Sequence, residues 1–239
     1  MKYEELDSPS LVIHKDRVLE NIDEMIRVAG GTARLMPHIK TSKMEAVIRL
    51  MTDKGITRFK AATIAEAELA ALSGAAQVLI AHQLTGPKVD RLKKLVEKYP
   101  QTTFATLADC REVAGELAGK LEKIAVYLDI NNGMNRSGHE VNDDLWPFYE
   151  YVLSQKNIDV KGLHIYDGHI TEADFTGREK QVSEGMKLLD GFIEKALAEK
   201  KDLELVCGGS PAFTVHVREE NRTLSPGTGV FWDWGYGDS

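Results

Sequence analysis

The sequence predicts an α/β protein built as a (β/α)8 TIM-type barrel, and three observations carry that expectation. Short apolar runs alternate with amphipathic stretches along the whole chain, about eight times. Right-handed βα units in that number close most naturally into a barrel. The length, 239 residues, suits one such unit, since α/β barrels of roughly 200–250 residues often form a single domain. The alternative, an open doubly wound sheet, lacks the G-x-G-x-x-G turn expected after its first strand.

The elements follow in order. Leu11-Val12-Ile13, after Ser8-Pro9, reads as a strand, and Val18, Ile22, Met25 and Ile26 line one face of a helix closed by Gly30-Gly31. Leu35–Ile39 reads as a buried strand running into a helix over Ser42–Met51, with Ser42 and Glu45 as an S-x-x-E capping box and a stop near Gly55. Arg58–Ala62 precedes a helix opened by Thr63-x-x-Glu66 and closed at Gly74. Val78–Ala81 precedes Pro87–Tyr99, with Pro87 at the helix start. Thr102–Thr106 precedes Asp109–Leu117, and Ile124–Ile130 precedes Leu145–Leu153. Val160–Tyr166 precedes a long helix over Val182–Ala198, and Leu203–Cys207 a short segment from Pro211. The last strand falls near Thr223–Leu224 or Gly229–Trp232. Trp232, Trp234 and Tyr236 crowd the C-terminus and would be exposed unless another segment or subunit covers them.

Composition narrows the function. A net charge of −7 argues against nucleic acid and anionic membrane surfaces as partners. Cys110 and Cys207, far apart and in no C-x-x-C spacing, exclude a cysteine zinc module and a disulfide framework, and they fit a reducing compartment. The charged N-terminus lacks an apolar signal region, and no apolar run reaches transmembrane length. The chain reads as cytoplasmic and soluble.

In a barrel the C-terminal strand ends form the active face, and the unusual residues fall there. His38 and Lys40 follow one strand, the polar loop from Asp129 to Gly138 with Arg136 another, and His164 to His169 with Tyr166 a third. Lys40 at a strand-to-helix junction serves as a covalent anchor if its surroundings keep part of it unprotonated; otherwise it is a solvated loop lysine. Gly208-Gly209-Ser210-Pro211 and Ser225-Pro226-Gly227-Thr228-Gly229 follow the last two strands, where barrels form phosphate sites and where glycines let a phosphate approach the backbone. Singly, each is a plain turn. Together with a lysine across the barrel mouth they span a phosphorylated cofactor that binds covalently, a description pyridoxal phosphate fits. His82, His139, His164 and His216 have no metal-site spacing.

Pro37-His38-Ile39-Lys40-Thr41, with Ser8-Pro9-Ser10-Leu11-Val12, resembles the start of the D-threonine aldolase and D-serine dehydratase group of the alanine-racemase-type, fold type III pyridoxal-phosphate enzymes. The likeness continues through Ala62–Glu68, Asp129–Gly138, Gly162–His169, Cys207–Pro211 and Pro226–Thr228, in order and over nearly the whole chain. It implies that Lys40 carries pyridoxal 5'-phosphate as a Schiff base, that Arg136 faces the ring nitrogen, and that Tyr166 packs on the ring. Gly208, Gly209, Ser210, Gly227 and Thr228 would hold the phosphate, and His38 would support the lysine. His169 is either a base near the substrate hydroxyl or a solvated loop histidine.

The resemblance also implies a second, mostly β domain carrying a His-x-Cys or His-x-Asp metal pair. No such pair follows the last strand here, so a divalent metal is expected only with that missing domain, and Gly229 stands where relatives often carry an aromatic. Residues 1–15 read as a segment that would pack on the missing domain, 16–230 as the pyridoxal-phosphate barrel, and 231–239 as the start of the missing domain. A truncated form and a single-domain relative both fit. The implied function is a D-amino-acid lyase, aldolase-like or dehydratase-like, in a homodimer when full-length. A racemase, a non-catalytic single-domain carrier of the cofactor, and a cofactor-free barrel aldolase using Lys40 are the alternatives.

Overall fold

The computed structural model describes residues 3–231; the aromatic tail from Trp232 onward lies outside the described residues. Seven strands form one parallel sheet in chain order: β1 (Arg58–Ala61), β2 (Gln77–Gln83), β3 (Thr103–Ala108), β4 (Ile124–Ile130), β5 (Ile158–Ile165), β6 (Glu204–Cys207) and β7 (Arg222–Leu224). Helices cross between them: α1 (Lys15–Ala29), α2 (Glu45–Asp53), α3 (Ile64–Leu72), α4 (Pro87–Lys98), α5 (Arg111–Lys120), α6 (Leu145–Ser154), α7 (Phe175–Lys187), α8 (Asp190–Glu199) and α9 (Phe213–His216). The sheet curls with the helices outside it.

Strand alternation divides the interior in two. One face of the sheet, with Phe59, Val78, Ile80, Phe104, Val126, Leu128, Leu163 and Leu205, packs on the apolar stripes of the helices, such as Val18, Ile22 and Met25 of α1. The opposite face holds a separate small cluster of Met36, Leu79, Ala105, Leu107, Ala125, Tyr127 and Val206. Polar groups lie on either side of it. Toward the strand starts, Glu204 takes hydrogen bonds from Arg58, Thr223 and Tyr127, and Tyr127 accepts from Gln77 at 3.0 Å. Toward the strand ends lie Lys60, Asp129 and His164, all buried.

Residues 34–39 tie the two sheet edges together. On one side Met36 N–H donates to Leu224 at 2.8 Å and His38 N–H to Pro226 at 2.8 Å; on the other, Ile39 N–H donates to Lys60 at 2.9 Å and Lys60 N–H to Pro37 at 2.9 Å. The segment forms isolated bridges rather than the full strand expected over Leu35–Ile39. Proline explains it, because Pro37 has no N–H for the next rung toward β1.

Other expectations need correcting. Leu11–Ile13 is irregular chain with Leu11 84% exposed, because among the described residues no neighbouring strand offers it a ladder. The helix expected from Ser42 starts at Glu45 with Met44 as N-cap and no side-chain cap. Lys43, at φ 47, interrupts the path, and Ser42 Oγ turns back to the Ile39 carbonyl at 3.4 Å. The long helix over Val182–Ala198 is two helices. The break lets Leu189 bury fully while Leu188 stays exposed. The caps read at Thr63, Gly30 and Pro87 are present: Thr63 Oγ1 accepts from Glu66 N–H at 3.1 Å, Gly30 is left-handed at φ 73, and Pro87 opens α4. Among the described residues no helix is long and apolar enough to cross a membrane.

Thr63→Ala should therefore lower stability by about 1 kcal/mol through loss of a cap. Ser42→Ala should change it by less than about 0.5 kcal/mol. Urea unfolding of both variants checks the pair; equal losses would restore the Ser42 capping box.

Candidate active site

The segment that joins the sheet edges also delivers Lys40. Immediately after its last rung, His38, Lys40, Lys60, Tyr166, Gly168, Gly209, Ser210, Pro211, Ser225, Gly227 and Thr228 line one cleft of about 430 Å³, mouth included. A larger space of about 1320 Å³ lies beside α1 against Leu11, Val12, Val230 and Phe231, but no lysine and no glycine loop faces it. Chemistry, not volume, picks out the cleft.

Lys40 is exposed as a residue, yet its amine sits in partly desolvated space beside other cations. Burial first, then the Arg136 guanidinium, lower its proton affinity below that of an ordinary lysine, with Glu66 opposing. Buried His38 lies under it, its Nδ1 accepting the Lys40 N–H at 3.3 Å. Burial, then Lys60, Lys40 and His164, push His38 well below its usual value, so its imidazole is neutral and free to accept.

Tyr166 is bracketed by cations. The Arg136 guanidinium lies 4.8 Å from its ring centroid, Lys60 Nζ 5.4 Å and Lys40 Nζ 5.7 Å, distances at which cations are attracted to the ring face. The loop after β4 sets Arg136 there by folding back on itself. Asn131 Oδ1 accepts from Gly133 N–H at 3.2 Å and Asn135 N–H at 3.0 Å, while Ser137 donates to Asp129 at 2.9 Å. Gly138 must be glycine there: φ is +100 and a Cβ would meet Asn131 N at 2.6 Å.

The two glycine loops form one unit. Ser210 Oγ accepts from Gly227 N–H at 3.0 Å and from Thr228 N–H at 2.9 Å. With both lone pairs engaged, its own proton is left to donate to a ligand. Behind them, Asp167 accepts from Gly209 N–H at 3.2 Å and meets His216 Nε2 at 2.5 Å, and Arg222 meets His216 Nδ1 at 2.8 Å. Since arginine only donates, His216 Nδ1 accepts and its Nε2–H points at Asp167. Gly208, at φ 80, lies against His216 rather than on the cleft wall, and a Cβ there would come within 2.8 Å of the imidazole.

Lys60 and His164 are both buried and linked, Lys60 Nζ to His164 Nε2 at 3.3 Å and His164 Nδ1 to Asp129 at 2.6 Å. Burial, then Lys40, bring Lys60 down to about 7. Burial, then Lys60, lower His164. Burial works against charge on Asp129, but the His164 hydrogen bond, with those from Gln83 and Ser137, keeps it below the usual carboxylate value. Among the described residues no group of three or more His, Cys, Asp or Glu could hold a metal ion.

Residues 13–233 match the family described as alanine racemase, N-terminal domain. The chain belongs to that family. It is also similar to D-threo-3-hydroxyaspartate dehydratase of Delftia sp. (strain HT23), at 27% identity over 141 residues, or 58% of this chain and 37% of that protein. Among solved structures it resembles D-threonine aldolase from Filomicrobium marinum, with TM-score 0.89 and 24% identity over 98% of this chain and 65% of that one. It also resembles alanine racemase from Corynebacterium glutamicum, with TM-score 0.69 and 21% identity over 92% and 61%. The chain thus spans about a third of the curated relative and under two thirds of these structures.

In this member of the alanine racemase N-terminal domain family, the fold brings His38, Lys40, Tyr166, Gly209, Ser210, Gly227 and Thr228 onto one lining, with Arg136 over Tyr166. His169 is exposed and lies against Gly133 instead, where a Cβ on the glycine would meet its Nε2 at 3.0 Å. Sequence reasoning missed Lys60, the Asp129–His164 pair, Asp167–His216 and Ser225. A charged residue between Phe59 and Ala61 in an apolar strand was the available signal for Lys60; the other groupings come from separate strands.

Lys60 makes stability depend on pH. The folded chain holds this proton less tightly than the unfolded one, so unfolding takes up a proton between about pH 7 and 10.5. Stability therefore climbs with pH across that window and is lost as pH falls through about 7. Lys60→Met should raise Tm more at about pH 6 than at about pH 10. Thermal melts at both pH values check this; a uniform shift would count against a depressed Lys60.

Proposed function

We propose that this chain is the cofactor-binding part of a pyridoxal-phosphate enzyme acting on β-hydroxy D-amino acids, a lyase of the aldolase or dehydratase kind. The observation that carries the reading is a desolvated lysine amine, Lys40, facing the joined Gly209-Ser210 and Gly227-Thr228 loops across one cleft. The named relatives, a D-threonine aldolase and a hydroxyaspartate dehydratase, support the substrate class.

The residues fit the group. Ser225 is buried on the cleft lining and its Oγ has no hydrogen-bond partner among the described residues, which is costly unless a ligand satisfies it. The Ser210 hydroxyl retains a proton to donate, and Gly209 lets the chain pass close to Tyr166, where a Cβ would lie 3.2 Å from the ring. Bound pyridoxal phosphate supplies an electron sink for charge at the substrate Cα.

The chain's own residues would do the rest. Lys40 is the covalent anchor, its hold on its proton weakened by burial and Arg136. Ser210 and Thr228 bind phosphate oxygens, and Gly208 shapes the loop that presents them. Tyr166 packs on the ring and Arg136 faces its nitrogen, a group that does not surrender its proton. His38, neutral beneath Lys40, orients the anchor's backbone. His169, exposed beside Gly133 and off the cleft lining, is the candidate base for the substrate β-hydroxyl. Residues 34–39, bonded to both β7 and β1, are read as the eighth stave of the barrel. Residues 16–230 are read as the cofactor-binding unit, and a homodimer as its assembly.

Borohydride reduction in the presence of pyridoxal phosphate, followed by peptide mass spectrometry, should place the adduct on Lys40 and lose it in Lys40→Ala. An undiminished adduct in that variant would sink the anchor assignment. Ser210→Ala and Thr228→Ala should each weaken cofactor retention in equilibrium dialysis by about 1–3 kcal/mol. Unchanged retention in both would put the phosphate elsewhere.

A further inference from the structure

Lys60 lies on the cleft wall and takes no part in the roles above. Its residue is only 2% exposed, and lysines are almost never buried unless paired. Among the described residues its Nζ has one hydrogen-bond partner, His164 Nε2 at 3.3 Å, and no carboxylate within 4.0 Å. An ammonium carries three donors, so donor capacity faces a cleft instead of protein. His164 is itself committed: Nδ1 donates to Asp129 at 2.6 Å, which leaves only the Nε2 lone pair to accept from Lys60. The Asp129–His164 pair thus orients Lys60 without neutralising it directly.

We infer that Lys60 is a ligand-binding residue, donating to an anionic oxygen of the molecule bound in the cleft, and that His164 and Asp129 are its positioning residues. The inference rests on the cofactor reading above and deepens it. Two oxygens have the right chemistry: the phenolic oxygen of the cofactor ring and the carboxylate of the amino-acid substrate. The surroundings favour an anion. Lys40, from the segment before α2, lowers the proton affinity of Lys60, and Arg136, from the loop after β4, lowers those of Lys40 and His164. Asp129 and Asp167 act in the opposite sense from β4 and the end of β5. Cys207 is held neutral, pushed up by burial to about 12.

The test uses the whole chain with pyridoxal phosphate, alone and with D-threonine, read by the visible band of the lysine-bound cofactor and by equilibrium dialysis. Lys60→Met should weaken cofactor binding by about 10- to 100-fold, with Lys60→Arg recovering part of the loss. His164→Asn should weaken it less and add nothing on top of Lys60→Met, a non-additivity that general loss of packing does not produce. Loss with cofactor alone assigns the phenolic oxygen. Normal cofactor binding with a D-threonine-induced spectral change that needs about 10-fold more D-threonine assigns the carboxylate. Circular dichroism establishes folding, and if Lys60→Met is unfolded, Lys60→Gln removes the charge while keeping a donor. A wild-type band that these variants leave unchanged, with and without D-threonine, overturns the inference. No band in the wild type overturns the cofactor reading and this inference with it.

Discussion

The backbone hydrogen bonds of residues 34–39 are what the cleft depends on. Five of them join this segment to β1 and to β7 and the residues just after it, the two sheet edges, at 2.7–2.9 Å. Edge strands otherwise expose unpaired donors and acceptors, so the segment satisfies both edges at once. The same rungs fix where the chain leaves the sheet: His38 ends up under the cleft and Lys40 on its wall. Pro37 omits one rung, and Lys43 in a left-handed conformation delays α2 until Glu45. The lysine is therefore held at a junction, not on a regular helix.

Charge balance inside the curled sheet is the second constraint. Lys60 and His164 share a space that tolerates little net charge, and Asp129 is the carboxylate bonded to His164. Asp129 is in turn held by Gln83 at 2.9 Å and Ser137 at 2.9 Å, and Gln83 also bonds Asp109 at 2.8 Å. These links connect β2, β4 and the Arg136 loop, so the position of Arg136 over Tyr166 is coupled to the ionic state of the interior. A comparable chain, Arg222–His216–Asp167–Gly209, braces the opposite wall. Both walls thus rest on histidines whose tautomers are set by their partners rather than by solvent.

Much of the fold was legible in the chain. Apolar runs located six of the seven strands and left the seventh between two places, of which the chain takes Arg222–Leu224, since a strand buried on the helix side repeats Val, Ile, Leu or Phe at every second residue. The caps at Thr63 and Gly30 read correctly because they rest on local chemistry. Ser42 misled for the same reason: its spacing to Glu45 matches a capping box, but rungs to distant β1 and β7 set the path before the helix can begin. Leu11–Ile13 misled because an apolar triplet has no strand identity without a neighbour. The split between α7 and α8 is likewise a packing decision, made by burying Leu189 at the expense of Leu188.

By itself the sequence determined the α/β rhythm, the glycines at 208, 209 and 227, and the lysine that follows Pro37-His38-Ile39, because each depends on residues close along the chain. Tertiary structure alone decided that Ser210 would gather the amides of Gly227 and Thr228, that Ser225 would be buried without a partner among the described residues, and that Lys60 would face His164 across the sheet interior. Those pairings join residues from 17 to 104 positions apart. No local pattern encodes them, since they arise only when parallel strands set the inward-facing residues of one strand beside those of another.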